Sequence, residues 1–309
     1  GVYLCMFPQL ISGPICMYSE IQPQLKNRRV DVRLLEEGME TFVLGLSAKT
    51  LLANPMGGLW NNLSVIGYDS ISTPYAWLGA FAYSFQIYFD FSGYSMMAIG
   101  VGKMLGFQLP QNFNLPYMSG TAGEFWRRWH ITLGRWFKNY IYFPLGGSRV
   151  GKWKTMRNML AVWAFTGLWH GASWNFIAWG LYYFVLLTIE KTFLLKYLKK
   201  GKVWPHIYTL FFVVLGWGIF TANQPGAPLG LLLQKLFVPQ GGISPVYYLC
   251  NYGVLLVLGC VCSSALPHWL WEKISKNTVA KLLVFALLTA LCVCYVVAAT
   301  NATALYANF

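Results

Sequence analysis

Charged residues are scarce in this sequence of 309 residues, of which only 11% are Asp, Glu, Lys or Arg. A soluble globular domain carries about a quarter of its residues as charged side chains. The hydrophobic fraction is 56%, and the mean hydropathy is +0.47. So few charges cannot cover a surface in water, which excludes a disordered chain, a secreted disulfide scaffold and a soluble single-domain enzyme. The remaining solvent is lipid.

Motifs for metal and phosphate chemistry are also lacking. The 7 cysteines form no CxxC pair and no zinc-like spacing, and most lie in apolar runs, which predicts buried free thiols. The sequence has no glycine-rich phosphate loop, no GxSxG motif and no HExxH motif. These absences favour acid–base transfer chemistry over a metal site, and we expect neither a metal nor a bound cofactor.

The charge that is present is unbalanced, with 23 Lys and Arg against 10 Asp and Glu and a net charge of +13. A basic chain first suggests nucleic acid. Here, however, the basic residues form short clusters between long apolar runs, which is how membrane proteins mark their cytoplasmic loops. We therefore predict a multi-pass protein of the cytoplasmic membrane that contacts the lipid bilayer and does not bind nucleic acid.

Apolar runs close to the roughly 20 residues needed to cross a bilayer recur along the chain. They cover residues 38–54, 75–106, 158–190, 205–222, 246–266 and 279–299. No alternating strand pattern competes with them, so the predicted fold class is an all-α integral membrane protein with one membrane domain over residues 1–309. The sequence starts at Gly1 inside an apolar stretch, and we expect that N-terminal helices are missing from it.

The 158–190 run has an awkward length for simple membrane crossing. As one α-helix it would reach about 50 Å at about 1.5 Å per residue, which is too long for one pass and short for two. We predict a broken helix pair that turns near residues 170–173. Such a break survives in a membrane only where it is buried in protein or lines a wet cavity. The spacing therefore predicts a functional cavity at this turn.

Residues 124–143, EFWRRWHITLGRWFKNYIYF, differ from the apolar runs. On a helical wheel, aromatic and aliphatic side chains fill one face, and basic and polar side chains fill the other. The pattern predicts an amphipathic helix that lies at the membrane interface. His130 departs from the pattern because it lies within the apolar face.

His170 is the main candidate for chemistry. The surrounding run carries no formal charge, and an ionisable group placed there is costly and usually faces a cavity. Imidazole is a natural general base at neutral pH. Trp169, Ser173 and Asn175 are the predicted supporting side chains near it. The alternative is a packing histidine that hydrogen-bonds across helices.

Two further polar groups stand out in apolar surroundings. His130 is a second candidate for chemistry, although an interfacial helix also tolerates a polar group readily. Asp90 is the only acid between Asp69 and Glu124 and lies within an apolar run. We interpret Asp90 as a structural hydrogen-bond hub that supports the site.

Four motifs occur in a fixed order from about residue 7 to residue 190. They are FPQLISGPI, FDFSGYSMMAIGVGKMLGFQLPQNFNLPY, FWRRWHITLGRWFKNYIYFPLGG and LWHGASWNFIAWG. Together they resemble the membrane-bound O-acyltransferases, and among these the alginate O-acetyltransferase branch. Four ordered motifs over more than half of the chain make this a highly specific resemblance.

The resemblance implies an enzyme whose short, tilted, broken and interfacial helices surround a central funnel. It implies transfer of an acetyl group from a cytoplasmic thioester donor, such as acetyl-CoA, to hydroxyls of an extracytoplasmic polysaccharide, with an SGNH-type acetyltransferase as a possible partner. By motif position, His170 is the catalytic base. His130 is the second active-site residue, which would position or polarise the thioester carbonyl or the leaving thiol.

The basic face of residues 124–143 suggests where an anionic donor would bind. Guanidinium and ammonium groups recognise phosphate, and the donor acetyl-CoA carries phosphates. The side chains predicted to bind it are Arg127, Arg128, Arg135 and Lys138.

Two alternatives remain open at this point. One is D-alanyl transfer to teichoic acid from a carrier protein, which is the chemistry of a neighbouring branch of the same family. The other is a secondary transporter that uses an intramembrane histidine in a broken helix. A transporter of this kind would need a second, symmetric broken segment, and the sequence has no internal repeat that supplies one.

Overall fold

The computed structural model describes residues 1–9, 13–222 and 228–298, so the middle of the FPQLISGPI motif lies outside the described residues. Within these ranges the only extended pairing is a parallel bridge between Ile71 and Ile243, and the remaining regular structure is helical. The α-helices are α1 (Tyr18–Lys26), α2 (Val32–Ser47), α3 (Asn54–Ile66), α4 (Thr73–Met104), α5 (Ala122–Arg128), α6 (Ile131–Phe137), α7 (Lys152–His170), α8 (Trp174–Ile189), α9 (Leu195–Leu198), α10 (Trp204–Thr221), α11 (Leu229–Phe237), α12 (Val246–Cys262), α13 (Leu266–Ile274) and α14 (Thr278–Ala298). Three π-helical segments extend helices, at Ala48–Ala53, Lys138–Tyr142 and Glu190–Leu194.

Helix α4 is the longest helix in the described chain and packs along α2. The two backbones approach closely at paired glycines. A Cβ atom on Gly45 would lie 2.5 Å from the carbonyl oxygen of Gly93, and one on Gly100 would lie 2.6 Å from that of Gly38. Helices pack this tightly only where small residues face each other. The α2–α4 pair therefore forms a close-packed support beside the candidate site.

Helices α7 and α8 form a second tightly packed pair. A Cβ atom on Gly167 would lie 2.6 Å from the carbonyl oxygen of Phe176, and one on Gly180 would lie 2.5 Å from that of Trp163. The chain leaves α7 through Gly171, whose φ of +148° favours glycine. Helix α8 then begins at Trp174. The 158–190 run is thus broken at residues 171–173, next to His170.

Among the described residues, three helices are long and apolar enough to cross a membrane, namely Trp174–Leu198, Trp204–Thr221 and Thr278–Ala298. The pair α12 and α13, bent by 77°, makes a fourth if it counts as one span. Helix α4 does not belong to this set, although residues 75–106 form one of the predicted apolar runs. Most of its residues are buried against protein, so its apolar side chains build the core.

Asp90 on α4 forms a buried ion pair with Lys49, which lies in the π-helical segment after α2. The side chains of Lys49 and Asp90 are only 16% and 6% exposed. The apolar character of the run around Asp90 signals that this acid needs a partner, but it does not identify Lys49. The pair joins the π-helical segment Ala48–Ala53 to α4.

Replacing Asp90 with Asn should lower the free energy of unfolding by about 3 kcal/mol, because it leaves the buried ammonium group of Lys49 without a counter-charge. The double variant Lys49→Met/Asp90→Leu should recover most of this loss, since two packed apolar side chains replace the pair. Thermal unfolding of the purified proteins in one detergent measures both effects. A double variant less stable than Asp90→Asn would contradict this explanation.

Candidate active site

Two of the 4 histidines in the sequence line one cavity of about 100 Å³. His130 lies at the junction of α5 and α6, and His170 is the last residue of α7. The other lining residues are mainly aromatic or aliphatic: Trp126, Trp129, Leu133, Gly134, Phe137, Val162, Trp163, Thr166, Trp179 and Trp217. The fold therefore brings the two predicted catalytic histidines to one partly enclosed, largely apolar site.

The backbone turns sharply at His130, which has a φ of +44°. This left-handed conformation is uncommon in residues other than glycine, and it cannot continue a right-handed helix. The segment 124–143, predicted as one continuous helix, is therefore corrected to two short helices, α5 and α6, followed by a π-helical segment. The turn carries the His130 side chain into the interior, where it is 7% exposed.

The loop before α5 explains why the helix divides. The Ile131 N–H donates to the carbonyl oxygen of Asn112 at 2.9 Å, and the carbonyl oxygen of Arg128 accepts from the Asn114 N–H at 2.9 Å. In a continuous helix, both groups would bond to residues four positions away within the helix. Tertiary hydrogen bonds to the loop thus replace helical ones and outweigh the helical periodicity of the sequence.

Aromatic rings surround the imidazole of His170. Its ring centroid lies 4.8 Å from that of Trp169, 5.1 Å from that of Trp179 and 5.1 Å from that of Phe220. Within the described part of the chain, no hydrogen bond holds this imidazole. Among the described residues, ring packing is therefore what positions this imidazole.

The predicted supporting residues occupy different places around the cavity. The ring of Trp169 contacts both histidines, at 4.8 Å from His170 and 6.4 Å from His130 between centroids. Ser173 precedes the first turn of α8. The Asn175 side chain is buried, and its Nδ2 donates to the Phe220 carbonyl oxygen at 2.6 Å. Asn175 therefore ties the start of α8 to the end of α10 and does not line the cavity.

Two of the four predicted donor-binding side chains take part in ion pairs. Arg128 pairs with Glu124 at 2.7 Å. Arg135 contacts Glu20 through two nitrogens, with Nη2 donating to Oε2 at 2.9 Å. A third, Arg127, lies near the carboxylate of a buried acid, Glu190. These charges are partly neutralised within the protein, which weakens them as independent sites for an anionic donor.

Lys138, the fourth predicted donor-binding residue, lies beside a second cavity of about 130 Å³. This cavity shares Gly134, Val162 and Trp163 with the cavity of the two histidines. The Lys138 ammonium group also lies 5.3 Å from the ring centroid of Phe143. A cationic side chain thus borders a space that adjoins the histidine site through shared walls.

Glu190 holds the N-terminus of α5 from within the protein. It is 4% exposed, and its carboxylate accepts the N–H of Ala122 at 2.7 Å and that of Gly123 at 3.0 Å. A carboxylate at this position satisfies free backbone donors and complements the helix dipole. Because α5 carries the cavity-lining Trp126 and leads through Trp129 directly to His130, Glu190 fixes one side of the site.

Sequence reasoning predicted both of the histidines that line the cavity, but it did not predict Glu190 or Asn112. The sequence marks both residues only weakly. Glu190 is the acid that ends the charge-free part of the 158–190 run, and Asn112 lies within the second of the four motifs. Their partners lie far away in the chain or across a loop, and only the fold reveals them. No group of three or more His, Cys, Asp and Glu side chains that could hold a metal ion occurs among the described residues.

Comparison with known proteins assigns the family. The model of the membrane-bound O-acyltransferase family matches residues 2–225, which include both histidines of the cavity. The chain belongs to the membrane-bound O-acyltransferase family. This confirms the resemblance seen in the four motifs, and it confirms the predicted all-α integral membrane fold.

Individual relatives refine the comparison. The peptidoglycan O-acetyltransferase of Helicobacter pylori is 39% identical over 254 residues, which are 79% of this chain and 47% of that protein. The probable alginate O-acetylase AlgI of Pseudomonas aeruginosa is 40% identical over 231 residues, 72% of this chain and 43% of that protein. The teichoic acid D-alanyltransferase of Bacillus subtilis is 30% identical over 244 residues, 72% of this chain and 60% of that protein. The chain spans about half the length of the acetyltransferase relatives it matches.

Proposed function

We propose that this protein is an O-acetyltransferase of the cytoplasmic membrane that transfers acetyl groups from a cytoplasmic thioester to hydroxyls of an extracytoplasmic polysaccharide. The observation that carries the proposal is the largely apolar cavity that both His130 and His170 line. Such a site supplies a base while its aromatic walls limit the entry of water, which would hydrolyse the thioester. Relatives named as O-acetylases or O-acetyltransferases, at 38–40% identity, support the acetyl branch.

In the proposed reaction, His170 takes the proton of the acceptor hydroxyl while the hydroxyl oxygen attacks the thioester carbonyl carbon. A carbon–oxygen bond forms, the carbon–sulfur bond breaks, and the leaving thiolate receives the proton from the His170 imidazolium. His170 suits this role because its imidazole lines the cavity and has no hydrogen bond to the residues that the structure describes. The step needs a base and an acid in turn, and one imidazole provides both.

Acetyl-CoA is the proposed donor and is consumed as a substrate. Its phosphates would bind outside the histidine cavity, and Lys138 is the cation next to the adjoining cavity. The acceptor hydroxyl would belong to the polymer or to an extracytoplasmic SGNH-type acetyltransferase that passes the acetyl group on. The donor and the acceptor would both have to enter the cavity to reach the histidines.

The second candidate function is D-alanyl transfer to teichoic acid. Relatives named as teichoic acid D-alanyltransferases are 30% identical to this chain, so the same family fold accommodates that donor. The higher identity to the O-acetylases favours acetyl transfer. Membership of an acyltransferase family also counts against the secondary transporter considered from the sequence.

Donor competition in membranes tests the proposal. Host membranes containing the native protein are supplied with radiolabelled acetyl-CoA or with a carrier protein charged with radiolabelled D-alanine, and the label in cell-envelope polymer is measured. Acetyl label that depends on the protein is the expected result. Label from D-alanine alone would overturn the acetyl assignment and support the second candidate. Label from neither donor, with the envelope proteins present, would contradict acyl transfer to envelope polymers.

Replacing Glu190 with Ala should reduce this transfer by about 10-fold to 100-fold, because it leaves the first N–H groups of α5 without an acceptor and loosens the helix that leads to His130. Glu190→Gln keeps one acceptor oxygen and should retain more activity than Glu190→Ala. Initial rates per amount of folded protein in membranes compare the variants. Equal loss in the two variants would show that the negative charge, and not hydrogen bonding to α5, is what matters.

A further inference from the structure

Asn112 lies against His130 in the loop before α5, and its side chain is almost completely buried, with 1% exposure. Its Oδ1 atom lies 3.0 Å from Nδ1 of His130. The same oxygen accepts the backbone N–H of Thr132 at 3.3 Å and the Thr132 hydroxyl at 2.9 Å. Its Nδ2 donates to the Ser95 hydroxyl on α4 at 3.0 Å. Both ends of the Asn112 amide therefore have partners.

The backbone fixes the orientation of this amide. The Thr132 N–H can only donate, so the atom of Asn112 that faces it must be the oxygen. A reversed amide would point its own N–H groups at that donor. The Ile15 N–H donates to the Thr132 hydroxyl oxygen at 3.0 Å. This contact engages the Thr132 oxygen as an acceptor while its proton points to Asn112.

The orientation of the amide determines which nitrogen of His130 carries hydrogen. Oδ1 of Asn112 is an acceptor only, so the Nδ1 atom that faces it must donate. In a neutral imidazole with hydrogen on Nδ1, the lone pair lies on Nε2. Because Nδ1 is turned to Asn112 and the ring lines the cavity, Nε2 is the nitrogen available to a substrate.

We infer that Asn112 is a positioning residue that holds neutral His130 with hydrogen on Nδ1, so that Nε2 accepts hydrogen bonds in the cavity. The consequence for catalysis rests on the proposed acyl transfer. There, Nε2 of His130 would accept a hydrogen bond from the acceptor hydroxyl or from the His170 imidazolium. The family resemblance also predicts that His130 could polarise the thioester carbonyl. A neutral His130 could do so only by donating from Nε2, and the hydrogen bond to Asn112 places the hydrogen on Nδ1 instead.

Nitrogen NMR on the full protein tests the tautomer without any need for activity. The protein is labelled with ring-¹⁵N histidine in lipid bilayers, and the His130 signals are identified as those that vanish in His130→Gln. The expected result is a protonated Nδ1 and an unprotonated Nε2 at neutral pH. A protonated Nε2 with an unprotonated Nδ1 would overturn the inference.

Kinetics on three asparagine variants test the positioning role. Asn112→Leu, which removes the acceptor, should lower kcat by about 10-fold to 100-fold and leave KM for the donor within about twofold. Asn112→Asp keeps an acceptor oxygen and should recover part of the lost kcat. The matched control is Asn114→Leu, the same change on an exposed side chain of the same loop, which should leave kcat unchanged.

Two kinetic outcomes would overturn the positioning role: an equal loss in Asn114→Leu, or an Asn112→Asp variant no better than Asn112→Leu. Thermal unfolding of each variant shows whether a loss reflects misfolding. If Asn112→Leu does not fold, the NMR measurement on the wild-type protein still decides the tautomer. Failure of the wild-type protein to transfer acyl groups would reject the proposed function, while the NMR result would still confirm or overturn the state of His130.

Discussion

Replacing His170 with Ala should lower the rate of acyl transfer by about 10³-fold, because general base catalysis contributes about 10²-fold to 10⁴-fold. His130→Ala should cost about 10²-fold. The double variant should be nearly as slow as His170→Ala alone, since groups that act together on one reacting centre have non-additive effects. The measurement is the initial rate of transfer in membranes per amount of folded protein.

His268 provides the control for this series. Its side chain is 74% exposed and pairs with Glu272, away from the cavity residues. His268→Ala should therefore keep the wild-type rate. A folded His170→Ala protein within tenfold of the wild-type rate would contradict the assignment of His170 as the base. Fully multiplicative losses for His130 and His170 would show that the two histidines act in separate steps.

Replacing Gly180 with Leu should reduce activity by at least about 10²-fold, because displacing catalytic groups by about 1 Å has effects of this size. A Cβ atom at this position would lie 2.5 Å from the carbonyl oxygen of Trp163, so α7 and α8 must separate. Both His170 and the cavity wall at Trp163 would then move. Transfer rates and thermal unfolding of the purified variant measure the change.

Gly253→Leu is the matched control, because Gly253 lies within apolar α12 and has open space around the position of a Cβ atom. It should unfold at nearly the same temperature as the wild-type protein and retain its transfer rate. If Gly180→Leu behaved like Gly253→Leu, close packing of α7 on α8 would not be what positions His170.

Much of the architecture follows from local pattern. The low charge and repeated apolar runs predict a helical membrane protein, because only lipid suits such a surface. The awkward length of the 158–190 run predicts a break near residues 170–173, and the chain does leave α7 there, through Gly171 with its positive φ. An ionisable group in a charge-free run is costly, which singles out His170 before any fold is known.

The remainder of the site depends on contacts that sequence periodicity does not contain. Residues 124–143 have a strong helical pattern, yet the loop at Asn112 takes the hydrogen bonds that would continue the helix through His130. Glu190 reaches α5 across 68 positions between Ala122 and Glu190. Lys49 forms its ion pair with Asp90 because α2 and α4 pack together. Such partners require the folded arrangement, since neither side chain alone indicates the other.

The most direct test of a histidine-catalysed acetyl transfer compares wild-type and His170→Ala membranes supplied with radiolabelled acetyl-CoA. Both must contain equal amounts of folded protein and the same envelope partners. We predict base-labile acetyl label in polymer from wild-type membranes and a loss of about 10³-fold with His170→Ala. Equal labelling by the two membranes would contradict catalysis by His170 in the cavity that it shares with His130.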